Sequence, residues 1–307
     1  MKKVFIDGSA GTTGLRIYER LKERKDLILL TLPDGLRKDE SARKDAFSQA
    51  DIVFFCLPDE AAAEAAEMIG QGGPKIIDTS TAHRTMDGWV YGFPELKGQK
   101  EKILASTRIA NPGCHATGFI ALIAPLIENG LLSPAESLTC FSLTGYSGGG
   151  KKMIAQYEGE DASPLLKAPR QYGLSQSHKH LKEMKKLCGL ETAPIFCPIV
   201  APYYAGMEVT VPLFASQIKG KAADIKEIFS AYYTGSVVRY QEKAEEGGFS
   251  SANAFEGLDS LEITVQGNED RILLIARFDN LGKGASGAAI QNMNLLLGAD
   301  EYMGLRL

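Results

Sequence analysis

The residue best suited to covalent chemistry in this sequence is Cys114, which lies in the segment ANPGCHATG at positions 110–118. The Asn-Pro-Gly triplet strongly favours a turn, and it lies between a predicted strand at 102–109 and an apolar helical run at 119–127. We therefore expect Cys114 where a strand turns sharply into a helix. Unpaired N–H groups and the positive end of the helix dipole favour the thiolate there, which is the nucleophilic form of cysteine. A buried structural cysteine at a helix start is the alternative.

The histidines at positions 83, 115, 178 and 180 are the candidates for an acid or base. His178 and His180 stand two residues apart at the start of a helix predicted within 174–184. Residues at that spacing do not share a helix face, so the pair is a poor set of metal ligands and no metal is expected. We expect His180 to be the acid/base, with His178 as the alternative.

The N-terminal segment predicts a dinucleotide-binding site. A short apolar strand at 4–6 runs into a glycine-rich turn, which a helix and a second strand follow, so the segment forms a βαβ unit. The glycine spacing is G-x-x-G-x-x-G rather than the commoner G-x-G-x-x-G. Glycine lets the backbone approach a pyrophosphate, whose charge the helix N-terminus then meets; a tight turn is the alternative. The predicted cofactor-binding residues here are Gly8, Ser9, Ala10, Gly11, Thr12, Thr13 and Gly14.

The residues after the second strand bear on the choice between NAD and NADP. An acidic residue at this point binds the ribose 2′-hydroxyl of NAD, whereas cations accommodate the 2′-phosphate of NADP. Asp34 could fill the first role, and the cations that follow favour the second: Arg37, Lys38, Arg43 and Lys44. We expect NADP and assign Arg37 and Lys38 to it. The alternative is that these charges only solvate a helix face.

Strands and helices continue to alternate through the first third of the chain. Apolar strands at 51–57 and 75–78 flank an alanine-rich helix at 59–71, which predicts a doubly wound parallel sheet. Ligands bind beyond the carboxyl ends of such strands. Ser80, Arg84 and Cys114 each follow a strand, so we expect them to share one crevice. Arg84 suits a phosphate clamp, and a surface arginine is the alternative.

The second half of the chain has a different pattern. Its predicted strands are longer and the last two have no helix between them, which indicates a mixed or antiparallel α+β domain; they lie at 137–144, 193–200, 207–217, 261–267 and 271–278. A glycine cluster at 148–150 followed by Lys151 suits a loop that closes over an anionic substrate, or a flexible linker. The substrate-binding candidates of the whole chain are Ser80, Arg84, Asn111, Lys151 and His178.

Composition narrows the class of protein. The 307 residues carry a net charge of −4, without a long basic run, which disfavours a nucleic-acid partner. The five cysteines are scattered and never spaced as Cys-x-x-Cys, which argues against a disulfide framework and a zinc site. No stretch approaches the roughly 20 apolar residues of a membrane span. The start shows no signal peptide, so we expect a cytoplasmic protein with no membrane partner.

A cysteine nucleophile, a histidine, a dinucleotide site and an anion-binding arginine together imply one class of reaction. A thiolate attacks an aldehyde, and hydride then leaves the hemithioacetal for a nicotinamide. Phosphate cleaves the resulting thioester to give an acyl phosphate, and the reductive direction is equally available. The histidine takes up and returns the hemithioacetal proton, while backbone N–H groups around Cys114 could hold the oxyanion.

The sequence resembles N-acetyl-gamma-glutamyl-phosphate reductase of arginine biosynthesis, in its shorter, type 2 form. The similarity runs from one end of the chain to the other. The segments at 110–114 and 279–296 are quite specific, whereas the N-terminal glycines are not. The matching stretches lie at 8–14, 78–84, 89–96, 110–114, 179–184 and 279–296.

This resemblance implies Cys114 as the nucleophile, His180 as the acid/base, and NADPH held by the glycine turn and the C-terminal helix. On the C-terminal side, the implied cofactor residues are Asn280, Lys283 and Gly284. The implied fold is that of aspartate-semialdehyde dehydrogenase, with a Rossmann domain at 1–113 plus 281–307 and an α+β catalytic and oligomerisation domain at 114–280. A homodimer or homotetramer is expected. Lys182 departs from the family pattern, where proline is expected.

Three other functions are compatible with parts of the sequence. A sister enzyme would act on aspartate semialdehyde or on N-acetyl-aminoadipyl phosphate by the same chemistry. A Rossmann-type regulator that senses NADP would need no catalysis, so Cys114→Ser would leave its function intact. A cysteine hydrolase would leave the glycine turn without a role.

Overall fold

The computed structural model describes residues 1–244 and 246–307, which form two compact units. The first unit comprises residues 1–112 and 285–305, and the second comprises residues 113–284 and 306–307. The boundary therefore falls directly before Gly113, and the chain returns to the first unit after Gly284.

The first unit is built on a six-stranded sheet in the order β2-β1-β3-β4-β6-β5, in which all neighbours are parallel. The strands are β1 (Lys2–Asp7), β2 (Leu27–Leu30), β3 (Ile52–Phe55), β4 (Lys75–Asp78), β5 (Val90–Tyr91) and β6 (Arg108–Ala110). The helices are α1 (Thr12–Leu21), α2 (Glu40–Gln49), α3 (Asp59–Ile69), α4 (Gln99–Leu104) and, from the far end of the chain, α9 (Gly287–Leu297). Because β1 lies between β2 and β3, the chain leaves β1 in one direction and returns on its other side, which creates a switch point.

Both faces of this sheet are covered, which explains why its strands are apolar runs rather than alternating ones. On one face, Val4 and Ile6 pack with Ile17 of α1 and Met293 of α9. On the other, Phe5, Val53 and Phe55 pack with residues of α2 and α3. The C-terminal helix is therefore part of the core of the first unit.

The second unit is a seven-stranded mixed sheet in the order β11-β12-β13-β10-β7-β9-β8. Its strands are β7 (Thr139–Gly145), β8 (Arg170–Gln171), β9 (Ile195–Ala201), β10 (Met207–Phe214), β11 (Val238–Tyr240), β12 (Leu261–Gly267) and β13 (Arg271–Phe278). Its helices are α5 (Cys114–Glu128), α6 (Gly150–Glu158), α7 (His180–Cys188) and α8 (Ala222–Tyr232). Helices α5 and α8 cover one face, so buried and part-exposed residues alternate along β10.

The structure corrects the sequence-based assignment at three places. Residues 102–109, predicted as one strand, contain the end of helix α4 and the start of β6. Their buried isoleucines, Ile103 and Ile109, belong to these two different elements. His178 precedes the helix, which begins at His180. The glycine cluster is not a loop: a 3₁₀ turn at Tyr146–Gly149 leads directly into α6. Among the residues that the structure describes, no helix is both long and apolar enough to cross a membrane.

Candidate active site

Cys114 is the first residue of α5 and is half-buried, whereas residues 115–126 behind it are buried. Gly113 is the N-cap of this helix, and its carbonyl accepts from the N–H of Thr117 at 2.8 Å. None of the five cysteines, all of which the structure describes, forms a disulfide. The thiol thus lies at the positive end of a 15-residue helix, which favours the thiolate.

Glycines let the backbone come close to Cys114 and to its helix. A Cβ at Gly284 would lie 2.9 Å from Cys114 Cβ and 3.1 Å from the carbonyl oxygen of Asp279. One helical turn along α5, a Cβ at Gly118 would lie 2.5 Å from Val209 Cγ2 of β10. The small residues near 284 therefore pack against the nucleophile's own helix, inside the second unit.

Glu183 of α7 connects Cys114's helix to His180. Its carboxylate is buried; one oxygen accepts from the Gly113 N–H at 3.1 Å, and the other lies 3.9 Å from His180 Nε2. Helices α5 and α7 pack against each other. A buried carboxylate between the start of the cysteine helix and the histidine holds both in one arrangement, because an unpaired buried charge is costly.

Three imidazole rings cluster around His115, the residue that follows Cys114 in α5. The ring of His115 lies 5.6 Å from that of His178 and 5.5 Å from that of His180, and the last two are 4.7 Å apart. The backbone N–H of His180 donates to His178 Nδ1 at 3.2 Å. That nitrogen is therefore an acceptor and carries no proton, which leaves His180 better placed than His178 to exchange protons.

His115 is hydrogen-bonded at both ring nitrogens. Nδ1 lies 2.7 Å from Ser142 Oγ on β7, and Nε2 lies 2.7 Å from the hydroxyl of Tyr172. Burial, with a smaller contribution from His178, lowers the pKa of His115 to about 3, so the ring is neutral. Burial, together with the negative charge of the Cys114 thiolate, raises the pKa of Tyr172 above its ordinary value. The tyrosine therefore keeps its proton.

In the first unit, the glycine turn after β1 has the geometry of a pyrophosphate cradle. Gly8 has φ +89°, and a Cβ there would lie 2.3 Å from the carbonyl oxygen of Cys56, which follows β3. A Cβ at Gly14 would lie 2.4 Å from the Gly8 oxygen, whereas Gly11 meets its nearest neighbour only at 3.5 Å. In the described chain, no side chain caps α1, and the buried Thr12 Oγ1 has no hydrogen-bond partner. Such orphaned donors at a helix start fit an anionic group.

The cations near the end of β2 divide into two kinds. Arg43 is buried and donates to Asp7 Oδ2 from both Nε and Nη2, at 3.1 and 2.8 Å. Burial is the main cause that raises the pKa of Asp7, against the lowering effect of Arg43. Arg37 and Lys38 are exposed, and Arg37 forms a surface ion pair with Asp34 at 2.7 Å. Arg43 thus binds Asp7 at the end of β1, and the exposed cations are Arg37, Lys38 and Lys44, of which Lys44 pairs with Glu40.

The loop after β4 is held by the buried carboxylate of Asp78. It accepts from Ser80 N at 2.8 Å and Ser80 Oγ at 2.7 Å, and it is hydrogen-bonded to His83 Nδ1 at 2.6 Å. Arg84, also buried, donates to the carbonyl oxygen of Thr79 at 3.0 Å. The hydroxyl proton of Ser80 is therefore committed to Asp78.

Two other predicted site residues make contacts within their own units. The Asn111 amide donates to the carbonyl oxygen of Ala285 at 3.0 Å and accepts from the Asn292 side chain at 3.4 Å. Asn280, in the second unit, accepts from the Gly206 N–H at 2.9 Å and donates to Ser147 Oγ at 3.0 Å.

The two lysines among the predicted residues differ in exposure. Lys151 is exposed on α6. Lys283 is buried directly before Gly284. Within the second unit, His178 and His180 therefore lie against His115, the residue after Cys114, and the first unit holds the glycine turn with its cations.

Comparison with known proteins decides the family. The family described as "Semialdehyde dehydrogenase, dimerisation domain" matches residues 114–280, and "Semialdehyde dehydrogenase, NAD binding domain" matches residues 33–104. N-acetyl-gamma-glutamyl-phosphate reductase 2 of Nostoc sp. is 42% identical over 99% of this chain and 99% of its own length. The N-acetyl-gamma-glutamyl-phosphate reductase of Brucella ovis is 44% identical over 96% of this chain and 99% of its own. This chain belongs to the N-acetyl-gamma-glutamyl-phosphate reductase family.

Solved structures show the same fold. Aspartate semialdehyde dehydrogenase II of Vibrio cholerae, complexed with ASA, has a TM-score of 0.71 at 18% identity and covers 97% of this chain and 98% of its own. The Candida albicans enzyme, solved with NADP, has a TM-score of 0.69 at 14% identity, with 97% and 99% covered. The predicted reductase family and fold class are confirmed. The protein is thus an oxidoreductase of the phosphorylating semialdehyde dehydrogenase type, with a nicotinamide-dinucleotide-binding domain.

Three polar residues near the reductase's Cys114 were not singled out by sequence reasoning: Ser142, Tyr172 and Glu183. Glu183 left a local signal, because it lies three residues after His180 and so shares its helix face. Ser142 and Tyr172 left none, since each is more than twenty residues from His115 in the chain.

The neutral state of His115 predicts an acid-dependent loss of stability. As pH falls below the ordinary histidine pKa of about 6.5, the unfolded chain gains a proton that the folded ring rejects until about pH 3. Relative to His115→Gln, the wild type should lose up to about 1.4 kcal/mol per pH unit over that range. Urea unfolding between pH 8 and 4 measures the difference, and the offset at pH 8 calibrates the substitution itself. If the free energy of unfolding depends on pH in the same way for wild type and His115→Gln, His115 is not held neutral in the folded protein.

Proposed function

We propose that this protein uses NADPH to reduce N-acetyl-L-glutamyl 5-phosphate to N-acetyl-L-glutamate 5-semialdehyde and phosphate, a step of arginine biosynthesis. The observation that carries the proposal is the placement of Cys114 at the start of α5, with Glu183 between that helix start and His180. The relatives of 42–44% identity bear the name of this reaction.

In the first step, the Cys114 thiolate attacks the acyl carbon of the acyl phosphate. A C–S bond forms and the bond between the acyl carbon and the phosphate oxygen breaks. The phosphate leaves and takes up one proton, and a thioester remains on Cys114. The N–H groups at the start of α5 are donors for the oxyanion that develops on the carbonyl oxygen. The same helix end stabilises the thiolate before the attack.

His180 is the acid/base of the second step. When bound, the reduced nicotinamide supplies the hydride that converts the thioester carbonyl to a hemithioacetal. His180 protonates the hemithioacetal oxygen and takes the proton back as the C–S bond breaks, which releases the aldehyde and the thiolate. Glu183, 3.9 Å from His180 Nε2, orients the ring for both transfers.

The first unit supplies the cofactor site. The turn from Gly8 to Gly14 would receive the pyrophosphate, and the orphaned Thr12 hydroxyl would donate to it. The exposed side chains of Arg37 and Lys38 support NADP over NAD, because they follow β2, where cations accommodate the 2′-phosphate. Asn280, Lys283 and Gly284 are assigned to the nicotinamide end by the family resemblance.

Among the substrate-binding candidates, Arg84 and Lys151 are assigned to the substrate's anionic groups. Ser80 and Asn111 have their hydrogen-bonding groups engaged by Asp78, Ala285 and Asn292, so they shape the loops that carry the site. His178, whose ring borders His180, is assigned to the substrate pocket.

The assay that tests this function mixes the protein with N-acetylglutamate semialdehyde and NADP⁺, with and without phosphate. We expect NADPH absorbance to rise only with phosphate, since phosphate must cleave the thioester. Aspartate semialdehyde and N-acetyl-aminoadipate semialdehyde are the comparison substrates. Faster turnover of either would support the thioester chemistry and reject the assigned substrate. If none of the three aldehydes is turned over, the remaining hypothesis is the NADP-sensing regulator.

Substitution of the two catalytic residues separates the enzyme from a regulator. Cys114→Ser should abolish turnover, because the hydroxyl is a far weaker nucleophile at neutral pH. His180→Asn should lower kcat by about 10²–10⁴-fold, the usual contribution of acid–base catalysis. Cys197→Ser is the matched control, a half-buried thiol on β9, and should retain full activity. A turnover rate unchanged by Cys114→Ser would reject the thioester route.

We assign the homodimer interface to the uncovered face of the second sheet, in line with the dimerisation-domain family that covers residues 114–280. Phe141, Ile195 and Leu273 lie on this face and are 41%, 61% and 39% exposed. A sheet face carrying such side chains needs a partner surface, and a second copy provides the self-complementary one.

Ile195→Lys should therefore convert the oligomer to a smaller species or a monomer in light-scattering measurements. Burying a lysine charge in an apolar interface opposes association. Leu104→Lys, a 52% exposed position on α4 of the first unit, is the control and should keep the wild-type mass. An Ile195→Lys variant of unchanged mass would place the interface elsewhere.

A further inference from the structure

The proposed reaction leaves one buried hydrogen-bonded chain without a role. It runs from Ser142 through His115 to Tyr172, with both links at 2.7 Å. Ser142 and His115 are buried, and Tyr172 is half-buried. His115 directly follows Cys114 in α5, so the central residue of this series is the neighbour of the proposed nucleophile.

A neutral imidazole carries one proton, so this chain has two possible arrangements. In the first, Nδ1–H donates to Ser142 and the Tyr172 hydroxyl donates to Nε2. In the second, the Ser142 hydroxyl donates to Nδ1 and Nε2–H donates to the Tyr172 oxygen. The two arrangements differ in which hydroxyl proton is left over: that of Ser142 in the first and that of Tyr172 in the second.

Burial decides between them. In the described chain, the hydroxyls of Ser142 and Tyr172 have His115 as their only hydrogen-bond partner. The first arrangement would leave the proton of the fully buried Ser142 without an acceptor, which is costly. In the second arrangement, every buried donor among Ser142, His115 and Tyr172 has an acceptor except the hydroxyl of the half-buried Tyr172. The structure therefore favours the Nε2–H tautomer of His115.

We propose that His115, held in this tautomer by Ser142, fixes the Tyr172 hydroxyl so that its proton is donated to the carbonyl oxygen of the substrate at Cys114. This inference rests on the proposed function, which places an acyl group on that thiol. Tyr172 is then a catalytic residue, and His115 and Ser142 are positioning residues that act through it.

The electrostatic surroundings support this direction of donation. The Tyr172 hydroxyl is 2.7 Å from the ring of His115, the residue next to Cys114, and after burial a thiolate charge at Cys114 also raises the pKa of Tyr172. A hydrogen-bond donor aimed at a developing oxyanion stabilises the transition state more than the ground state. Tyr172 therefore adds a donor to the N–H groups of α5.

His115 itself is not a proton carrier in this arrangement. The ionisable groups around its ring are Tyr172 and His178 from the loop before α7, His180 and Glu183 from α7, and Cys114 on its own helix. Its burial keeps it neutral across the working pH range. Substitution of Ser142, His115 or Tyr172 should therefore lower kcat by the same factor at all pH values. The apparent pKa values of the kcat–pH profile should not change.

The first experiment reads the tautomer directly. Nitrogen-15 NMR of histidine-labelled protein distinguishes a protonated from an unprotonated ring nitrogen, and only four histidines contribute signals. His115→Gln assigns the resonance. We expect a neutral ring with Nε2 protonated, unchanged down to about pH 5. A protonated Nδ1, or a ring that titrates near pH 6.5, would overturn the inference whatever the substrate is.

The second experiment measures kinetics. Tyr172→Phe should lower kcat by about 10²-fold, as loss of an oxyanion donor does, with KM changed far less. Ser142→Ala should lower kcat by a smaller factor, and Ser142→Thr, which keeps the hydroxyl, should restore it. In a Tyr172→Phe background, Ser142→Ala should have no further effect on kcat. Equal effects of Ser142→Ala in both backgrounds would mean a merely structural role and overturn the inference.

The two proposals fail in different ways. Wild-type protein that turns over none of the three aldehydes rejects the reductase function, while the tautomer measurement still stands. If the wild type is active and Tyr172→Phe leaves kcat unchanged, only the proposed donation by Tyr172 to the substrate is rejected.

Discussion

The buried carboxylate of Glu183 is the interaction on which the candidate active site depends. It accepts from the N–H of Gly113, the N-cap of the cysteine helix, and lies beside His180. Without these partners a carboxylate would be too costly to bury. One side chain therefore couples the position of the helix of Cys114 to that of His180, the proposed nucleophile and acid/base. The same carboxylate joins the first turns of two helices that are distant in sequence.

Most of the polar groups near Glu183 and His180 are held in a single protonation state. His115 is neutral because it is buried, and His178 is an acceptor at Nδ1 because the backbone of His180 donates to it. Tyr172 keeps its proton because burial and the thiolate both raise its pKa. In the proposed reaction, proton transfer is therefore assigned to His180, while the neighbouring groups provide fixed dipoles. Such preorganisation is what stabilises charge that develops during reaction.

Close backbone packing has the same organising role in both units. In the first, Gly8 and Gly14 let the turn after β1 fold against Cys56, which leaves the orphaned donors of α1 at the switch point of the sheet. In the second, Gly284 and Gly118 let the chain and β10 approach the helix of Cys114. A side chain at any of these positions would displace backbone or core atoms, so the sites depend on packing as much as on their polar residues.

Features that depend on neighbouring residues could be predicted from the sequence: the alternation of apolar strands and helices, the glycine turn at the start of a helix, and Cys114 after Asn-Pro-Gly. The sequence also indicates His180 as the acid/base, and the family resemblance implies the same role. The tertiary structure decided what depends on residues distant in the chain: that Arg43 is bound to Asp7, that Ser80 donates to Asp78, and that Ser142 and Tyr172 hold His115. It also split residues 102–109 between a helix and a strand. Local periodicity records which face of an element is apolar, but it does not record which polar group from another element will meet it, because that pairing exists only once the elements have packed.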